Sequence, residues 1–333
     1  MIFDKAQWVK FGKGFSVQDC AYGFDGRYCF VLVQNAEGLD PGPRTRFLFI
    51  RPERPMEKRF YFKEVGHFDM TSIAFSTHPA AEFVAVDMDG NVYSYDEERD
   101  GEEVRFPDIW PNGDLRSVPS KVVRLNNVCH VVTTDRRIFR RVGVDRWIEV
   151  TAKKDGIPFP KERLNKKVSA IDLGFQDIAA FNDNDIYAVG GAGDIWHFNG
   201  KKWQQIHFPS NELLYTVCCG GDGNVYVTGN RGSLWVGRED RWKKMADGAL
   251  SLQFKDSVWF AGRLYCGNDY GLWVLKDGKL KSLQEEVDSV VATSCGRLDV
   301  SPDGTLLLTA GPHGATLYDG KKWEVLFNSM QLG

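Results

Sequence analysis

A pattern of tyrosine, glycine and tryptophan recurs about every 39 residues between Asp185 and Trp273. It consists of three sets of markers: Tyr187, Tyr226 and Tyr265; Gly193, Gly232 and Gly271; and Trp196, Trp235 and Trp273. A weaker copy, "TLLLTAGPHGATLYDGKKWEVLF", stands near the C-terminus. A step of this length predicts a repeat architecture, in which each unit buries its apolar face against the next one.

Each repeat predicts short β-strands joined by tight turns. Apolar and β-branched residues alternate, which favours the pleated surface of a strand. Asn199-Gly200 and Asp319-Gly320 are typical of hairpin turns that need positive φ. A glycine loop that binds phosphate requires a following helix, whereas "DIWHFNGKKW" has the periodicity of strands. We therefore interpret the glycines as turns and predict that the recurring tryptophans fill the core between units.

Extending the repeat in both directions gives seven units of four strands. Such units predict an all-β fold, a seven-bladed β-propeller with four antiparallel strands per blade. We expect one domain over residues 1–333, with blades at approximately 16–64, 69–107, 120–150, 171–207, 211–246, 249–285 and 291–327. A further strand at 6–11, "AQWVKF", resembles "KKWEVLF" near the C-terminus. We expect it to lie beside the last blade and close the ring, because an open ring leaves an unpaired sheet edge.

The motif "VYVTGNRGSLW", with "FNGKKW" and "YDGKKW", resembles the blade pattern of bacterial propellers related to photosystem II assembly factors and to proteins with BNR (sialidase-type) repeats. The resemblance covers residues 171–327. It departs from the sialidase Asp-box, which has Ser or Thr two residues before its Asp, because neither turn carries that hydroxyl residue. The resemblance therefore implies the propeller fold and not an activity.

Charge and composition narrow the functional class. The 333-residue chain has a formal net charge of −3, whereas a nucleic-acid-binding protein usually has a clear basic excess. No apolar run is long enough to cross a membrane, and the N-terminus lacks the apolar segment of a secretory signal. We therefore expect a cytoplasmic protein with reduced cysteines, in which Cys218 and Cys219 are buried on a strand and form no disulfide.

Three long connections interrupt the repeats: 34–44, 108–120 and 151–174. In a propeller, the turns between the second and third strands of a blade share one face with the connections between blades, so all three fall on the same face. Long connections in compact domains are often functional. From 151 to 167, six basic and two acidic residues give a local charge of +4. The acidic turn 96–103 falls on the opposite face, and we interpret it as a solvated tip.

These features favour a non-catalytic protein-binding propeller, a scaffold such as an assembly factor or a toxin-neutralising immunity-type protein. We expect its partner to be another protein with an acidic surface, and we expect no nucleic acid, membrane or cofactor. Basic residues would steer the partner and aromatic residues would anchor it. The predicted partner-binding residues are Trp110, Arg116, Lys153, Lys154, Phe159, Lys161, Arg163, Lys166 and Lys167.

The alternative is a carbohydrate-active enzyme, a glycoside hydrolase or lyase, that uses acidic residues at the mouth of the central channel. Turns between second and third strands would supply the channel-mouth residues: Asp87, Asp89, Asp135, Arg136, Arg231, Asp269 and His313. Glycosidic cleavage needs two carboxyl groups at a defined separation, so this alternative requires Asp87, Asp135 and Asp269 to meet in one pocket. The six histidines have no metal-motif spacing, and we predict no metal site.

Overall fold

Seven separate four-stranded antiparallel sheets make up the protein. The computed structural model describes residues 1–35, 42–66, 68–108, 116–152, 156–164 and 173–333, and for residues 163 and 164 it describes the backbone only. Within each sheet the four strands follow one another in chain order. The first strand of each sheet contacts the first strands of its two neighbours, so the sheets close into a ring. This arrangement confirms the predicted seven-bladed β-propeller.

The blades are numbered in chain order. Blade 1 contains β1 (Phe15–Tyr22), β2 (Tyr28–Gln34), β3 (Thr45–Ile50) and β4 (Phe60–Val65). Blade 2 contains β5 (Ser72–Ser76), β6 (Glu82–Val86), β7 (Val92–Tyr95) and β8 (Asp100–Glu102), and blade 3 contains β9 (Pro119–Leu125), β10 (Val128–Thr133), β11 (Ile138–Gly143) and β12 (Arg146–Glu149). Blade 4 contains β13 (Phe175–Asn182), β14 (Asp185–Gly190), β15 (Asp194–Phe198) and β16 (Trp203–Ile206).

The C-terminal half continues the same pattern. Blade 5 contains β17 (Leu214–Cys219), β18 (Val225–Gly229), β19 (Leu234–Arg238) and β20 (Arg241–Ala246). Blade 6 contains β21 (Asp256–Phe260), β22 (Arg263–Asn268), β23 (Gly271–Lys276) and β24 (Lys279–Ser282), and blade 7 contains β25 (Arg297–Val300), β26 (Leu307–Gly311), β27 (Gly314–Tyr318) and β28 (Trp323–Asn328). Three short α-helices accompany the strands in the described part of the chain: α1 (Lys5–Phe11), α2 (Ser289–Thr293) and α3 (Ser329–Leu332). Within the described residues, no helix is both long and apolar enough to span a bilayer.

The recurring tryptophans lie in the wedges between blades, as predicted. Trp196 and Trp203 of blade 4 are buried in one cluster with Leu125 and Ile138 of blade 3. Trp235 is likewise buried against aliphatic side chains of blades 4 and 5. Wide aromatic rings suit these wedges because twisted neighbouring sheets diverge towards the outside. The repeat in the sequence is therefore a repeat of core positions.

The cysteine thiols are free in the structure. All seven cysteines lack a disulfide partner, and Cys218 is buried while Cys219 is half-buried. Burial raises the pKa of the Cys218 and Cys219 thiols above the ordinary range. A raised thiol pKa leaves little thiolate at neutral pH, so both residues behave as small apolar core residues.

The acidic run 96–103 is only partly a turn, which corrects our interpretation of a solvated tip. The turn spans 96–99, and strand β8 occupies Asp100–Glu102. Glu97 lies 3.2 Å from the guanidinium groups of both Arg27 and Arg51 of blade 1. Asp100 accepts hydrogen bonds from the hydroxyls of Tyr61 and Tyr93. The run therefore bonds blade 2 to blade 1 as well as facing solvent.

The predicted strand at 6–11 is wrong, because this segment is helix α1. Asp4 and Gln7 form a capping box, in which each side chain accepts the backbone N–H of the other residue at 2.8 and 3.0 Å. The buried residues Trp8 and Phe11 are three apart, which suits one face of a helix, while Val9 is exposed. Local capping and helical spacing thus outweigh the similarity to strand β28.

The N-terminal segment nevertheless lies where the ring closes. The Phe3 ring contacts Phe327 of blade 7 at 5.4 Å and stacks on Phe60 of blade 1 at 5.0 Å between centroids. Trp8 packs against Phe327 and Phe11 against Phe60. Each blade keeps its own four strands, so no strand is exchanged at this seam. Helix α1 and the residues before it cover the seam with apolar side chains instead.

A buried ion cluster joins blades 2 and 3. The Arg141 guanidinium is fully buried and donates to Glu82 at 2.6 and 2.8 Å and to Glu103 at 3.0 and 2.6 Å. Burial opposes ionisation of Glu103, but hydrogen bonds from Arg141 hold the pKa of that carboxyl below its usual value. A buried charge is tolerated only when it is paired in this way. The cluster therefore fixes the two blades that flank the 108–120 connection.

Deleting residues 1–12 is expected to lower the melting temperature markedly. The deletion removes the buried side chains of Phe3, Trp8 and Phe11, each of which contributes roughly 2 kcal/mol by burial. It also uncovers Phe60 and Phe327 at the seam. Thermal unfolding followed by circular dichroism measures the effect, with Val9→Ala on the exposed face of α1 as the control. An unchanged melting temperature in the deletion variant would show that the seam closes without the helix.

Candidate partner-binding face

Two of the three long connections join blades, and the third joins the middle strands of blade 1. Connection 34–44 links β2 to β3, 108–120 precedes β9, and 151–174 links β12 to β13. Because the strands of each blade are antiparallel and in chain order, these connections leave from the same end of their sheets. We call this end the insertion face. The other end, which carries the turns between first and second and between third and fourth strands, is the turn face.

A buried polar cluster holds the base of the 108–120 connection. The Arg137 guanidinium donates to the Ser117 hydroxyl at 3.0 Å and to Glu149 at 2.8 Å. Ser117 in turn donates to Asp135 at 2.8 Å, and Thr133 donates to the same carboxylate at 2.5 Å. All of these contacts are inside blade 3 or at its boundary with the connection. The connection is therefore presented from a fixed base.

The base of the 151–174 connection is also anchored. The buried Thr151 donates to Glu149 at 3.1 Å, and its carbonyl accepts the backbone N–H of Ile157 at 3.2 Å. Ile157 packs on the core between blades 3 and 4. At the far end, Gly174 has φ +75° and approaches the backbone of Thr134 so closely that a Cβ would lie 2.2 Å from a carbonyl carbon. Only glycine fits this return to β13.

The predicted partner-binding residues fall into two groups. In the described part of the chain, Arg116 and Lys161 are exposed and Phe159 is half-buried. Lys161 begins a short 3-10 helix that also contains the backbone of Arg163. The side chain of Arg163 lies outside the description, and the following residues are outside the described ranges altogether: Trp110, Lys153, Lys154, Lys166 and Lys167. Their role stays a prediction.

The acidic residues of the channel-mouth alternative are each engaged locally. Asp87 is buried and accepts from the backbone N–H groups of Asp69 at 3.1 Å and Asn91 at 2.7 Å. Asp269 accepts from the Lys255 ammonium at 2.6 and 2.7 Å. Asp135 is bonded to Ser117 and Thr133 as described above, so each of the three carboxylates is held on the turn of a different blade.

The other channel-mouth residues also lie on separate turns. The Arg136 guanidinium bonds Asp194 of blade 4 at 2.5 Å and lies over the Trp196 ring. Asp89 and His313 are exposed at turn tips, and Arg231 is exposed with its Nε donating to the Leu250 carbonyl at 3.3 Å. In the described part of the chain, His, Cys, Asp and Glu side chains do not gather in groups of three that could bind a metal ion.

Sequence reasoning missed a ring of seven equivalent positions on the innermost strands. At four of these positions the side chain accepts a backbone N–H of the next blade's innermost strand: Asp19 from Ile73, Ser72 from Val122, Asp177 from Val217 and Asp256 from Leu298, at 2.9 to 3.1 Å. The full set, one residue per blade, is Asp19, Ser72, Lys121, Asp177, Thr216, Asp256 and Arg297. These residues surround the central channel, where a cavity of about 370 Å³ is lined by most of them.

Basic side chains cross the channel and pair with the ring carboxylates. Lys121 of blade 3 lies 3.0 Å from Asp177 and 2.5 Å from Asp256 of blade 6, on the far side of the ring. Closer to the turn face, Arg124 of blade 3 donates to Asp299 of blade 7 at 3.0 Å and to the Tyr22 carbonyl of blade 1 at 3.2 Å. Two levels of ion pairs therefore cross the channel. We assign these residues to holding the blades together.

The ring carboxylates differ in their proton affinity. Burial raises the pKa of Asp19 to about 6, with Arg297 opposing and the negative charge of Asp256 reinforcing the shift. Burial also opposes ionisation of Asp256, but Lys121 and Arg297 hold the pKa of Asp256 below its usual value. Burial would lower the pKa of Lys121, and the carboxylates of Asp177 and Asp256 raise it instead. On acidification, Asp19 therefore takes up a proton while the Lys121–Asp256 pair stays charged.

Asp19→Asn is expected to change how stability depends on pH. Because the folded-state pKa of Asp19 is raised, its proton favours the folded state below the unfolded pKa of about 4, and this contribution is lost as pH rises through about 6. The free energy of unfolding of the Asn variant, relative to the wild type, should therefore rise between pH 4 and pH 7. Urea unfolding across this range measures it, with the exposed Asp247→Asn as control. A difference that stays constant with pH would contradict the assignment.

Comparison with known proteins gives one structural and one sequence relationship. No protein-family model matches the chain. The fold is similar to the crystal structure of the WD40 β-propeller domain of Doa1, with a TM-score of 0.58 and 11% sequence identity, covering 90% of this chain and 91% of that one. Identity this low shows the propeller fold alone. The specific resemblance to photosystem II assembly factors and BNR proteins stays a prediction.

The sequence relationship is closer. The chain is 30% identical over 227 residues to the immune protein Tsi7 of Pseudomonas aeruginosa, which covers 66% of this chain and 68% of that protein. The alignment is long enough to include several blades, so it cannot arise from one shared repeat. The chain belongs to the family of the immune protein Tsi7.

Proposed function

We propose that this protein is a non-catalytic immunity protein that binds a toxin protein through the insertion face and thereby neutralises it. The observation that carries the proposal is the combination of family membership with three long connections on one face of a closed ring. The relationship to Tsi7 favours toxin neutralisation over the assembly-factor role that the sequence left open. The protein acts in the cytoplasm in this proposal, without nucleic acid, membrane or cofactor.

Charge supports an acidic surface on the partner. Residues 151–167 carry a local charge of +4 on a chain of net charge −3. Lys161 of this segment and Arg116 of the 108–120 connection are exposed on the same face. Arg116 keeps 61% of its side chain exposed although it lies 3.9 Å from Asp108. Exposed basic groups attract an acidic partner over about 10 Å at 0.1 M salt and raise the association rate.

Aromatic residues supply the anchors in this proposal. Trp110 and Phe159 belong to the two connections between blades 2, 3 and 4, where the polar cluster around Arg137 fixes the base of the first connection. Large aromatic side chains that become buried at the centre of an interface dominate its binding energy. The basic residues would therefore govern association and the aromatic residues dissociation.

The carbohydrate-active enzyme is not favoured by a specific observation. Its three carboxylates have separate partners: turn backbone for Asp87, hydroxyls of blade 3 for Asp135 and an ammonium for Asp269. A glycosidase needs a pair of carboxyl groups that face one substrate bond. The contacts recorded for the described residues support turn stabilisation instead.

Charge reversal at four basic positions tests the proposed face. The partner protein is first isolated from the native host with the wild-type protein, identified by mass spectrometry and purified. The variant Lys161→Glu, Arg163→Glu, Lys166→Glu and Lys167→Glu should associate at least about tenfold more slowly at low salt. The difference should shrink at high salt because screening weakens the attraction that was lost.

A matched control reverses four exposed lysines on the turn face: Lys201→Glu, Lys202→Glu, Lys321→Glu and Lys322→Glu. Their backbone N–H groups donate hydrogen bonds to the side chains of Asn199 and Asp319. Substitution of the lysine side chains leaves these bonds intact. The control should associate like the wild type. Equal association rates for wild type and insertion variant, or slowing confined to the control, would contradict the proposed face.

A further inference from the structure

The two faces of the propeller differ in which residues adopt a left-handed backbone. On the turn face, the described non-glycine residues with positive φ are Asp25, Asn126, Asn127, Asp145, Glu239, Ala261 and Asp277. Most are Asp or Asn, which tolerate this conformation. On the insertion face, the corresponding residues are Met70, Arg136 and Arg231. Side chains other than Asp and Asn are less common at such positions, and Arg136 and Arg231 are the two cations among them.

The Arg136 side chain links two blades, whereas the Arg231 side chain does not. The Arg136 guanidinium bonds Asp194 and lies over Trp196, which ties blade 3 to blade 4. Arg231 has φ +55° and is exposed, with a single recorded bond from its Nε to the Leu250 carbonyl. Among the described residues, no carboxylate lies within ion-pair distance of Arg231. Its terminal N–H groups therefore face solvent from a rigid turn.

Tyr270 is the next turn tip on the insertion face. It is 71% exposed, the largest value among the large hydrophobic residues described. Its turn is fixed from both sides, because its backbone N–H donates to Asn268 at 2.9 Å and the neighbouring Asp269 is bonded to Lys255. A tyrosine held out by an ordered turn loses little conformational freedom on binding, and Tyr and Arg are enriched among the residues that dominate interfaces.

The connection 247–255, which links β20 to β21, contacts both of these turns. Arg231 bonds the carbonyl of Leu250 near its start, and Lys255 at its end bonds Asp269 beside Tyr270. Leu252, in the middle, is 41% exposed. Arg231, Leu252 and Tyr270 form what we call the blade 5–6 patch. It combines the Arg231 guanidinium, which has no acidic partner in the described ranges, with an aliphatic and an aromatic side chain.

Two acidic side chains that flank the patch in the sequence are already paired with lysines. Asp247 lies 3.1 Å from Lys244, and both oxygens of Asp269 accept from Lys255. Glu212 accepts hydrogen bonds from Ser233 and Trp235, and Arg231 contributes a positive charge to the patch. A guanidinium matches a carboxylate, with which it can form two parallel hydrogen bonds.

We propose that the blade 5–6 patch is a second contact site for the same partner protein, which presents a carboxylate next to an apolar side chain there. This inference rests on the proposed function. The patch lies on the insertion face but on blades 5 and 6, whereas the three long connections belong to blades 1 to 4. A partner that touches both sites covers the mouth of the central channel.

Site-specific photo-crosslinking in the native host tests the proposal on the full chain. Three variants carry the photoreactive residue p-benzoylphenylalanine: Tyr270→p-benzoylphenylalanine at the patch, Lys161→p-benzoylphenylalanine at the 151–174 connection, and Asp277→p-benzoylphenylalanine on the turn face of blade 6. Positions 270 and 161 should give adducts with one and the same polypeptide, and position 277 should give no adduct with it.

The outcomes separate this proposal from the proposed function. An adduct at 161 with none at 270, or with a different polypeptide at 270, overturns the second site and leaves the proposed function standing. An adduct at 270 alone supports the patch and overturns binding through the 151–174 connection. Absence of adducts at both positions overturns both.

The variant Arg231→Asn tests whether Arg231 acts in binding and not in stability, through the dissociation rate and the melting temperature. Asn suits the positive φ, so the melting temperature should stay within about 2 °C of the wild type. The purified partner should dissociate at least about fivefold faster. The matched control is Glu239→Asn, which has φ +52° on the turn face of the same blade and should change neither quantity. A clear fall in melting temperature, or an unchanged dissociation rate, for Arg231→Asn overturns the proposal.

Discussion

Hydrogen bonds between the innermost strands are the constraint on which the rest of this propeller depends. Around the central channel, side chains such as Asp19, Ser72, Asp177 and Asp256 accept the backbone N–H of the next blade. Without these acceptors, buried N–H groups on an inner strand would lack partners, which costs free energy. Because carboxylates do part of this work, the channel needs cations, and Lys121 supplies one by reaching across the ring. The polar channel and the apolar wedges thus stabilise the ring together.

In this ring, the residues that stabilise the fold differ from the residues that we propose to bind the partner. The channel carboxylates, the Arg141 cluster and the recurring tryptophans all have partners within the protein. Two connections on the insertion face are fixed at their bases, by Arg137 and Thr151 among others. A rigid base limits the entropy that a connection loses when it binds a partner. The family relationship to an immune protein and this geometry therefore support the same function, although they are independent observations.

The sequence predicts the fold well because the repeat is a repeat of core positions. Residues equivalent to Tyr187, Gly193 and Trp196 of blade 4 recur in blades 5 and 6. The step of about 39 residues therefore gives the number of strands in each blade and their order. Helix α1 was missed because "AQWVKF" resembles a strand in composition, while the Asp4–Gln7 capping box and the three-residue spacing of Trp8 and Phe11 determine its structure. The channel ring was also missed, although Asp177, Thr216 and Asp256 follow the same step. Side chains that meet across a channel come from strands far apart in sequence, and only the closed ring shows that Lys121 reaches Asp256.

Hydrogen–deuterium exchange of the protein, free and bound to its purified partner, tests most directly whether the insertion face is the binding face. Binding should slow exchange in the connections 34–44, 108–120 and 151–174, because backbone groups that become buried at an interface exchange less readily. The turn face, sampled at 199–202 and 319–322, should exchange equally in both states. Protection confined to the turn face, with the three connections unchanged, would contradict the account.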